Sequence, residues 1–229
     1  MTTTFITGGN KGLGYETARR LIELGQTVIV GARNAEHGRA AAAKLGARFV
    51  QIDVTDDASV ARVADDLAAH EGHVDVLINN AGIIGSHAPA DEITAAAAIE
   101  VYNTNVFGAI RVTHALLPLL EKSAHPSVIN VSSGLGSFAV THDPKRIEST
   151  FAAPLYTSSK AALTMLTTQY AKALPAIRFN AVDPGYTATD LNGNSGPQTV
   201  TEGTDAIVNI ATATEGTGAF TDRFGTVAW

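Results

Sequence analysis

Short apolar, β-branched runs recur along the chain, separated by stretches in which apolar residues return at helical spacing. The runs are Thr4–Thr7, Thr27–Val30, Arg48–Ile52, Val74–Ile78, Ser127–Val131 and Ile177–Val182, with a closing strand expected near Ala219–Val227. Their apolar residues are nearly continuous, as in strands covered on both faces. Between them the pattern predicts a helix with Ala18, Leu21 and Ile22 on one face. Further helices are expected over Ala35–Leu45, Asp57–Ala69, Ile99–Leu120, Pro154–Leu174 and Thr201–Ala213, with Pro118 tolerated near a helix end. Strand and helix alternating in this way imply right-handed βαβ units on a parallel sheet. The expected fold class is α/β: one domain over residues 1–229, a doubly wound parallel sheet of about seven strands flanked by helices.

The alanine-rich segments Ala40–Ala43 and Ala95–Ala98 read as exposed helix surface, since Ala is the best helix former. The least regular stretches are Gly85–Asp91, Gly134–Ala153 and Thr189–Pro197. Two of these follow strands and are expected to line the mouth of a site.

Composition narrows the function. The 229 residues suit one domain, and 45% apolar against 17% charged residues supports a folded core rather than a disordered chain. Sixteen Lys plus Arg against 22 Asp plus Glu give a net charge of −6, the wrong sign for a nucleic-acid binder that works by counterion release. There is no cysteine, which excludes disulfide scaffolds, Cys-ligated zinc and thiol nucleophiles. Met1–Thr7 lacks the basic and apolar regions of a signal peptide, and no run approaches the ~20 apolar residues of a membrane span. A cytoplasmic protein without membrane or nucleic-acid partners is expected.

The first strand runs into Thr7-Gly8-Gly9-Asn10-Lys11-Gly12-Leu13-Gly14, and a helix follows. Glycines let the backbone turn tightly and approach a pyrophosphate, and the helix behind them offers free N–H groups and a partial positive charge. One glycine would suffice for a plain strand-to-helix turn. Gly8, Gly12 and Gly14 in the first βα turn favour a dinucleotide. The loop lacks the Lys-Ser/Thr ending of a nucleotide P-loop, which argues against ATP or GTP. At the end of the second strand an NAD site carries an acid for the ribose 2′-hydroxyl. Here the segment is Gly31-Ala32-Arg33-Asn34. Arg33 can pair with a 2′-phosphate and Lys11 can add a second charge, so NADP(H) is preferred, with NAD(H) left open.

Taken together, Thr7–Gly14, Asn79-Asn80-Ala81-Gly82, Tyr156-Thr-Ser-Ser-Lys160 and Pro184-Gly185 resemble the short-chain dehydrogenase/reductase family, nearest to its carbonyl reductase-like members. The resemblance covers essentially the whole chain, with the motifs in the family order. It implies a Rossmann-type domain with a seven-stranded sheet. It further implies cofactor contacts at Gly8, Asn10, Lys11, Gly12, Leu13 and Gly14 for the phosphates and at Arg33 for the 2′-phosphate. Asp53 and Val54 would lie beside the adenine, and Asn80, Ala81 and Gly82 along the ribose. Pro184, Gly185, Thr187 and Thr189 match the segment meeting the nicotinamide carboxamide and diphosphate. By similarity the catalytic set is Asn105, Ser133, Tyr156 and Lys160, with Tyr156 and Lys160 also touching the cofactor.

These residue types suit carbonyl reduction. Tyr156 and Lys160 are four apart on one predicted helix and share a face. An ammonium beside a phenol favours the phenolate, and moving a tyrosine from about 10 toward about 7 is worth roughly 4 kcal/mol. Such a phenol can give or take a proton near neutral pH. Ser133 can hydrogen-bond the carbonyl oxygen, and is preferred over the adjacent Ser132 because it matches the family position. Lys160 would also hold the ribose hydroxyls. Asn105 lies in a predicted helix, where it is either a polar residue on a wet face or, as in the family, a residue that disturbs the helix and positions a water in a proton relay to the lysine.

The remaining candidates are weaker. His70 and His73 are three apart, but a glycine separates them and no third ligand is suggested, so no metal site is expected. Asp56–Asp57 and Asp65–Asp66 fit helix N-terminal charge and a solvated face. Trp229 either packs at an interface or frays.

The segment between Ser133 and Tyr156 is longer than the family's usual spacing, and carries Phe138, His142, Asp143, Pro144, Lys145 and Arg146. A longer insertion here accompanies a monomeric state in the carbonyl reductases, so the oligomeric state is left open between monomer and a homo-oligomer (dimer or tetramer). The family's substrate lid corresponds to Thr189–Thr201, here short and polar, and a mobile loop over a fairly open pocket is expected. The expectation is an NADP(H)-dependent enzyme acting on a small carbonyl or alcohol substrate. An NAD-dependent alcohol dehydrogenase and a non-catalytic NADP-sensing protein are the alternatives.

Overall fold

Phe5 and Ile6 are neighbours, both fully buried, and they enter different apolar clusters. They lie on β1 (Thr3–Thr7), and since side chains alternate along a strand, only a sheet covered on both faces buries both. Leu77 and Ile78 on β4 (Val76–Asn79) and Val128 and Ile129 on β5 (Ser127–Val131) divide in the same way. The computed structural model describes residues 1–86 and 88–229. Its other strands are β2 (Thr27–Ala32), β3 (Arg48–Gln51), β6 (Arg178–Val182), β7 (Phe220–Asp222) and β8 (Gly225–Thr226). They form one sheet in the order β3-β2-β1-β4-β5-β6-β7-β8, parallel except for the last pair. The order reverses between β1 and β4, which opens the crevice where α/β sheets bind ligands.

The helices are α1 (Gly12–Glu23), α2 (Ala35–Leu45), α3 (Asp57–His70), α4 (Ala95–Tyr102), α5 (Gly108–Leu120), α6 (Phe138–His142), α7 (Pro154–Ala173), α8 (Val200–Gly203) and α9 (Asp205–Thr212). Val60, Val63 and Leu67 of α3 and Val112, Leu116 and Leu120 of α5 cover one face with Phe5 and Phe179; Ala18 and Leu21 of α1, Ala42 of α2 and Ile207 of α9 cover the other. No helix among the described residues is long and apolar enough to cross a membrane.

Several elements differ from expectation. The closing strand is a hairpin rather than one run: Asp222 Oδ1 accepts the Phe224 and Gly225 amides and turns the chain back. The long central helix starts earlier and is split by one π-turn at Asn103–Phe107. The last helix breaks at Thr204, whose hydroxyl accepts from Arg20 and donates to the Thr201 carbonyl. The alanines of α2 are not all surface, since Ala41 and Ala42 are buried while Ala40 and Ala43 are exposed. Gly134–Ala153 carries short helical turns at Gly134–Gly136 and Ile147–Thr150 as well as α6. In the Gly85–Asp91 stretch, residue 87 lies outside the described residues.

Candidate active site

Lys11 precedes α1 with an extended backbone and gives it no side-chain cap, and no acid stands in the helix's first turn. The first N–H groups of a helix have no intrahelical partner, so this end is free to bind an anion. Gly12 at φ +54 turns the chain into the helix, and a Cβ there would meet nothing nearer than Thr189 at 3.6 Å. Gly14 is the opposite case: a Cβ would lie 2.5 Å from both the Gly8 carbonyl and Asn80 Nδ2, so the loop closes on itself only with glycine. Asn80 fixes that fold by donating to the Thr7 and Gly8 carbonyls at 2.9 and 3.1 Å, while Thr7 Oγ1 accepts the Asn80 and Ala81 amides. These backbone groups fit a dinucleotide pyrophosphate.

The flank of the crevice is mixed. Arg33 follows β2 in solvent; burial works to raise the Asp53 carboxyl, but the Thr55 hydroxyl and amide, and then the Arg33 charge, hold it below the usual range. Asp53 accepts the Thr55 amide and hydroxyl, so its carboxylate is already engaged. Val54 is buried against Gly108 and packs into one of the core clusters. Leu13 packs near Gly203, and Asn10 is half-buried.

Ser133, Tyr156 and Lys160 come together beyond the end of β5. Ser132 points inward: its hydroxyl donates to the Lys160 carbonyl and accepts from Thr164 Oγ1 at 2.6 Å. Ser133 faces Tyr156 and accepts the Leu135 amide, so the two serines have separate tasks. Lys160 is 4% exposed, and its Nζ donates to the Val131 carbonyl at 2.7 Å and lies 5.6 Å from the Tyr156 ring centre.

Asn105 is not on a wet face. It is 1% exposed inside the π-turn, a local defect that often marks a functional position. Its Oδ1 accepts the Ile83 amide, and its Nδ2 donates to the Ile83 carbonyl and to Ser159 Oγ, which donates to the Tyr156 carbonyl. Asn105 Oδ1 and Lys160 Nζ both flank Gly82, 3.4 and 3.6 Å from where its Cβ would be.

The expected depression of the phenol is reversed. Burial pushes Tyr156 up to about 12, with the Ser133 hydroxyl opposing and the Asp183 charge adding to the rise. Burial likewise lowers Lys160 to about 8, against the pull of Asp183. Burial is the largest cause of both shifts, and the ammonium donates to the Val131 carbonyl.

The segment after β6 is more ordered than a free lid. Thr189 and Asn192 cap each other around a helical turn at Asp190–Asn192, Asn192 Nδ2 donates to the Thr187 carbonyl, and Tyr186 shares a hydrogen bond with Ser195. Lys11 reaches across the cleft to Asp190 at 3.0 Å. Thr187 is buried, and its hydroxyl donates to the Pro184 carbonyl. Pro184 and Gly185 border a cavity of about 300 Å³ that is also lined by Arg146, Glu148, Asp183 and Asp222. Asp183 and Glu148 were absent from the sequence-based set; the one signal available was an acid placed directly before Pro184-Gly185. Elsewhere, His70 and His73 pair with Asp66 and Asp75, Trp229 packs against Phe220 at 5.7 Å, and no cluster of three metal-ligating side chains occurs among the described residues.

The fold is that of a Rossmann-like α/β domain, with a glycine-rich turn and a buried polar cluster at the crevice. A family model described as short chain dehydrogenase matches residues 2–199, and the chain belongs to that oxidoreductase family. (−)-Isopiperitenone reductase of Mentha piperita is 31% identical over 95% of either chain. Salutaridine reductase of Papaver bracteatum is 29% identical, covering 92% of this chain and 90% of that one. Among solved structures, NADPH-bound carbonyl reductase from chicken fatty liver aligns over 100% of this chain and 99% of that one, at a TM-score of 0.88 and 28% identity.

Proposed function

We propose that the protein is an NADP(H)-dependent reductase that converts a small ketone or aldehyde to the alcohol and, in reverse, acts as an alcohol dehydrogenase. The observation that carries this is the meeting of the Ser133 hydroxyl, the Tyr156 phenol and the buried Lys160 amine beside an uncapped glycine-rich helix start. When bound, the dinucleotide supplies or accepts the hydride. Gly8, Asn10, Gly12, Leu13 and Gly14 would cradle its phosphates, and Asn80, Ala81 and Gly82 its ribose. Pro184, Gly185, Thr187 and Thr189 would shape the nicotinamide side through their backbone, with Asp53 and Val54 bounding the adenine side.

Tyr156, pushed up to about 12, enters reduction as the neutral phenol, the form a proton donor needs. Its hydroxyl gives a proton to the carbonyl oxygen while Ser133 donates a hydrogen bond to the same oxygen as negative charge builds there. Lys160, at about 8, carries its proton at neutral pH and steadies the phenolate left behind. Asn105 holds the turn that faces Lys160 across Gly82.

The cofactor preference rests on Arg33 in solvent after β2, with no acid in Gly31–Asn34, and on the NADPH named for the chicken carbonyl reductase. Initial rates over a panel of aldehydes, ketones, diketones and quinones test both parts. NADPH is expected to exceed NADH at least about tenfold in kcat/KM, the worth of one charge-assisted phosphate contact. Equal or faster rates with NADH would remove Arg33 from its role, and cofactor binding without turnover on any carbonyl would favour the sensing alternative.

A further inference from the structure

The proton machinery above uses no carboxylate, yet one is buried against it. Asp183 follows β6 directly and is 3% exposed. Its Oδ1 accepts the Gly185 amide at 2.9 Å, and the carboxylate also faces the Gly134 amide, which favours its charged form. Gly134 follows Ser133, and Gly185 belongs to the segment placed beside the nicotinamide. The approach at Gly134 is close enough that a Cβ would lie 2.7 Å from Asp183 Oδ2 and 3.1 Å from Glu148 Oε1.

We propose, on the reductase reading above, that Asp183 is a positioning residue: one carboxylate ties the Ser133–Gly134 turn to the Pro184–Gly185 turn and sets the charge facing Tyr156 and Lys160. Two loops that must meet the same substrate carbon and oxygen are thereby fixed relative to each other. The charged form is needed, because a carboxylate offers acceptors to both amides, whereas a carboxamide presents an N–H on one side.

The groups facing Asp183 are Glu148 and Arg146 from the segment after α6, Asp222 from β7, and Tyr156 and Lys160 from α7. Arg146 is held by Glu148 at 2.9 Å, which leaves its charge largely answered. Burial raises the Asp183 carboxyl, and Glu148 and Asp222 raise it further. Activity therefore depends on a carboxylate that protonates above the ordinary aspartate range, and falls as pH drops through that point. Ionised Asp183 in turn supports the Lys160 ammonium, so its loss moves the alkaline limb, near 8, downward.

Asp183→Asn tests this in the full chain, beside Glu148→Gln. In Asp183→Asn the acid limb of kcat is expected to vanish, the alkaline limb to fall by about one pH unit, and kcat to drop about tenfold while the NADPH KM changes less than about twofold. Glu148→Gln removes a like charge and frees Arg146, so its acid limb should move to lower pH. Amide hydrogen exchange on the cofactor-free protein should quicken by about tenfold or more in Asp183→Asn at whichever of Gly134 and Gly185 faces the carboxamide N–H, and at neither in Glu148→Gln. That measurement needs no turnover, so it separates failure of the tie from failure of the reductase reading. Unchanged exchange at both glycines, or a pH profile superimposable on the parent, overturns the proposal. If Asp183→Asn does not fold, Glu148→Gln decides alone: an unmoved acid limb overturns the proposal and a downward shift supports it.

Discussion

Around the glycine loop, the groups left free for a ligand are backbone N–H donors, and the nearby charges of Lys11 and Arg33 stand in solvent. Around Ser133 the arrangement is inverted: Lys160 and Asp183 are buried, and the Tyr156 phenol is pushed far from its ordinary range. The first region needs only a backbone path, which Asn80 and the glycines enforce. The second stores charge where water is scarce, so its chemistry depends on how several distant segments pack. One end of the cleft is built to bind and the other to hold protons in unfavourable places.

The sharpest test of this division is Tyr156→Phe. Losing the proton donor is expected to cut kcat by about 10² to 10⁴, the usual worth of general acid catalysis. Binding should survive, with the NADPH dissociation constant measured by fluorescence titration changing less than about threefold. A comparable loss in both quantities would mean that the two ends are not separable.

Lys160→Met asks what the buried charge costs. A base whose folded-state pKa is lowered, here from 10.5 to about 8, penalises the folded state whenever both states are protonated, below about pH 8. The penalty fades as pH rises from 8 to 10.5. Its relief is worth about 3 kcal/mol, against about 1 kcal/mol for the lost bond to Val131. The variant should therefore be inactive yet more stable by about 2 kcal/mol at pH 7, with the gain gone above pH 10.5 in urea unfolding. A variant less stable at pH 7 would show that Val131 and Asp183 fully compensate the ammonium.

The same contrast explains what could be read from the chain alone. Glycine spacing, strand runs and the missing acid near Arg33 are local signals, and the sheet and crevice follow from them. The Ser133, Tyr156 and Lys160 cluster was legible through resemblance and through helical spacing. Two things were not. The phenol's direction of shift depends on burial and on where the lysine proton is bonded, neither of which spacing encodes. Asp183 gains its partners from Gly134, 49 positions away in sequence, and from the neighbouring Gly185. The disturbed helix at Asn105 was offered by the resemblance but not by helix propensity, since the π-turn answers to Ile83 and Ser159.

The smallest expected effect lies at the binding end, where Lys11 and Asp190 bridge the mouth of the cleft at 3.0 Å with both side chains largely exposed. Exposed ion pairs contribute little to stability, so Asp190→Asn should leave the unfolding midpoint unchanged. Its consequence is for the ligand. Lys11 holds the Asp190 carboxyl below its usual range, so the pair is charged at neutral pH and competes with any phosphate that Lys11 would meet. Releasing Lys11 should tighten NADPH binding about two- to threefold at low ionic strength, with the gain lost near 0.5 M salt, where screening acts within a few ångström. NADH should gain less, since it lacks the 2′-phosphate. Weaker NADPH binding in Asp190→Asn would instead mean that the bridge shapes the cradle, so that even the exposed charges at this end serve to hold the cleft in form.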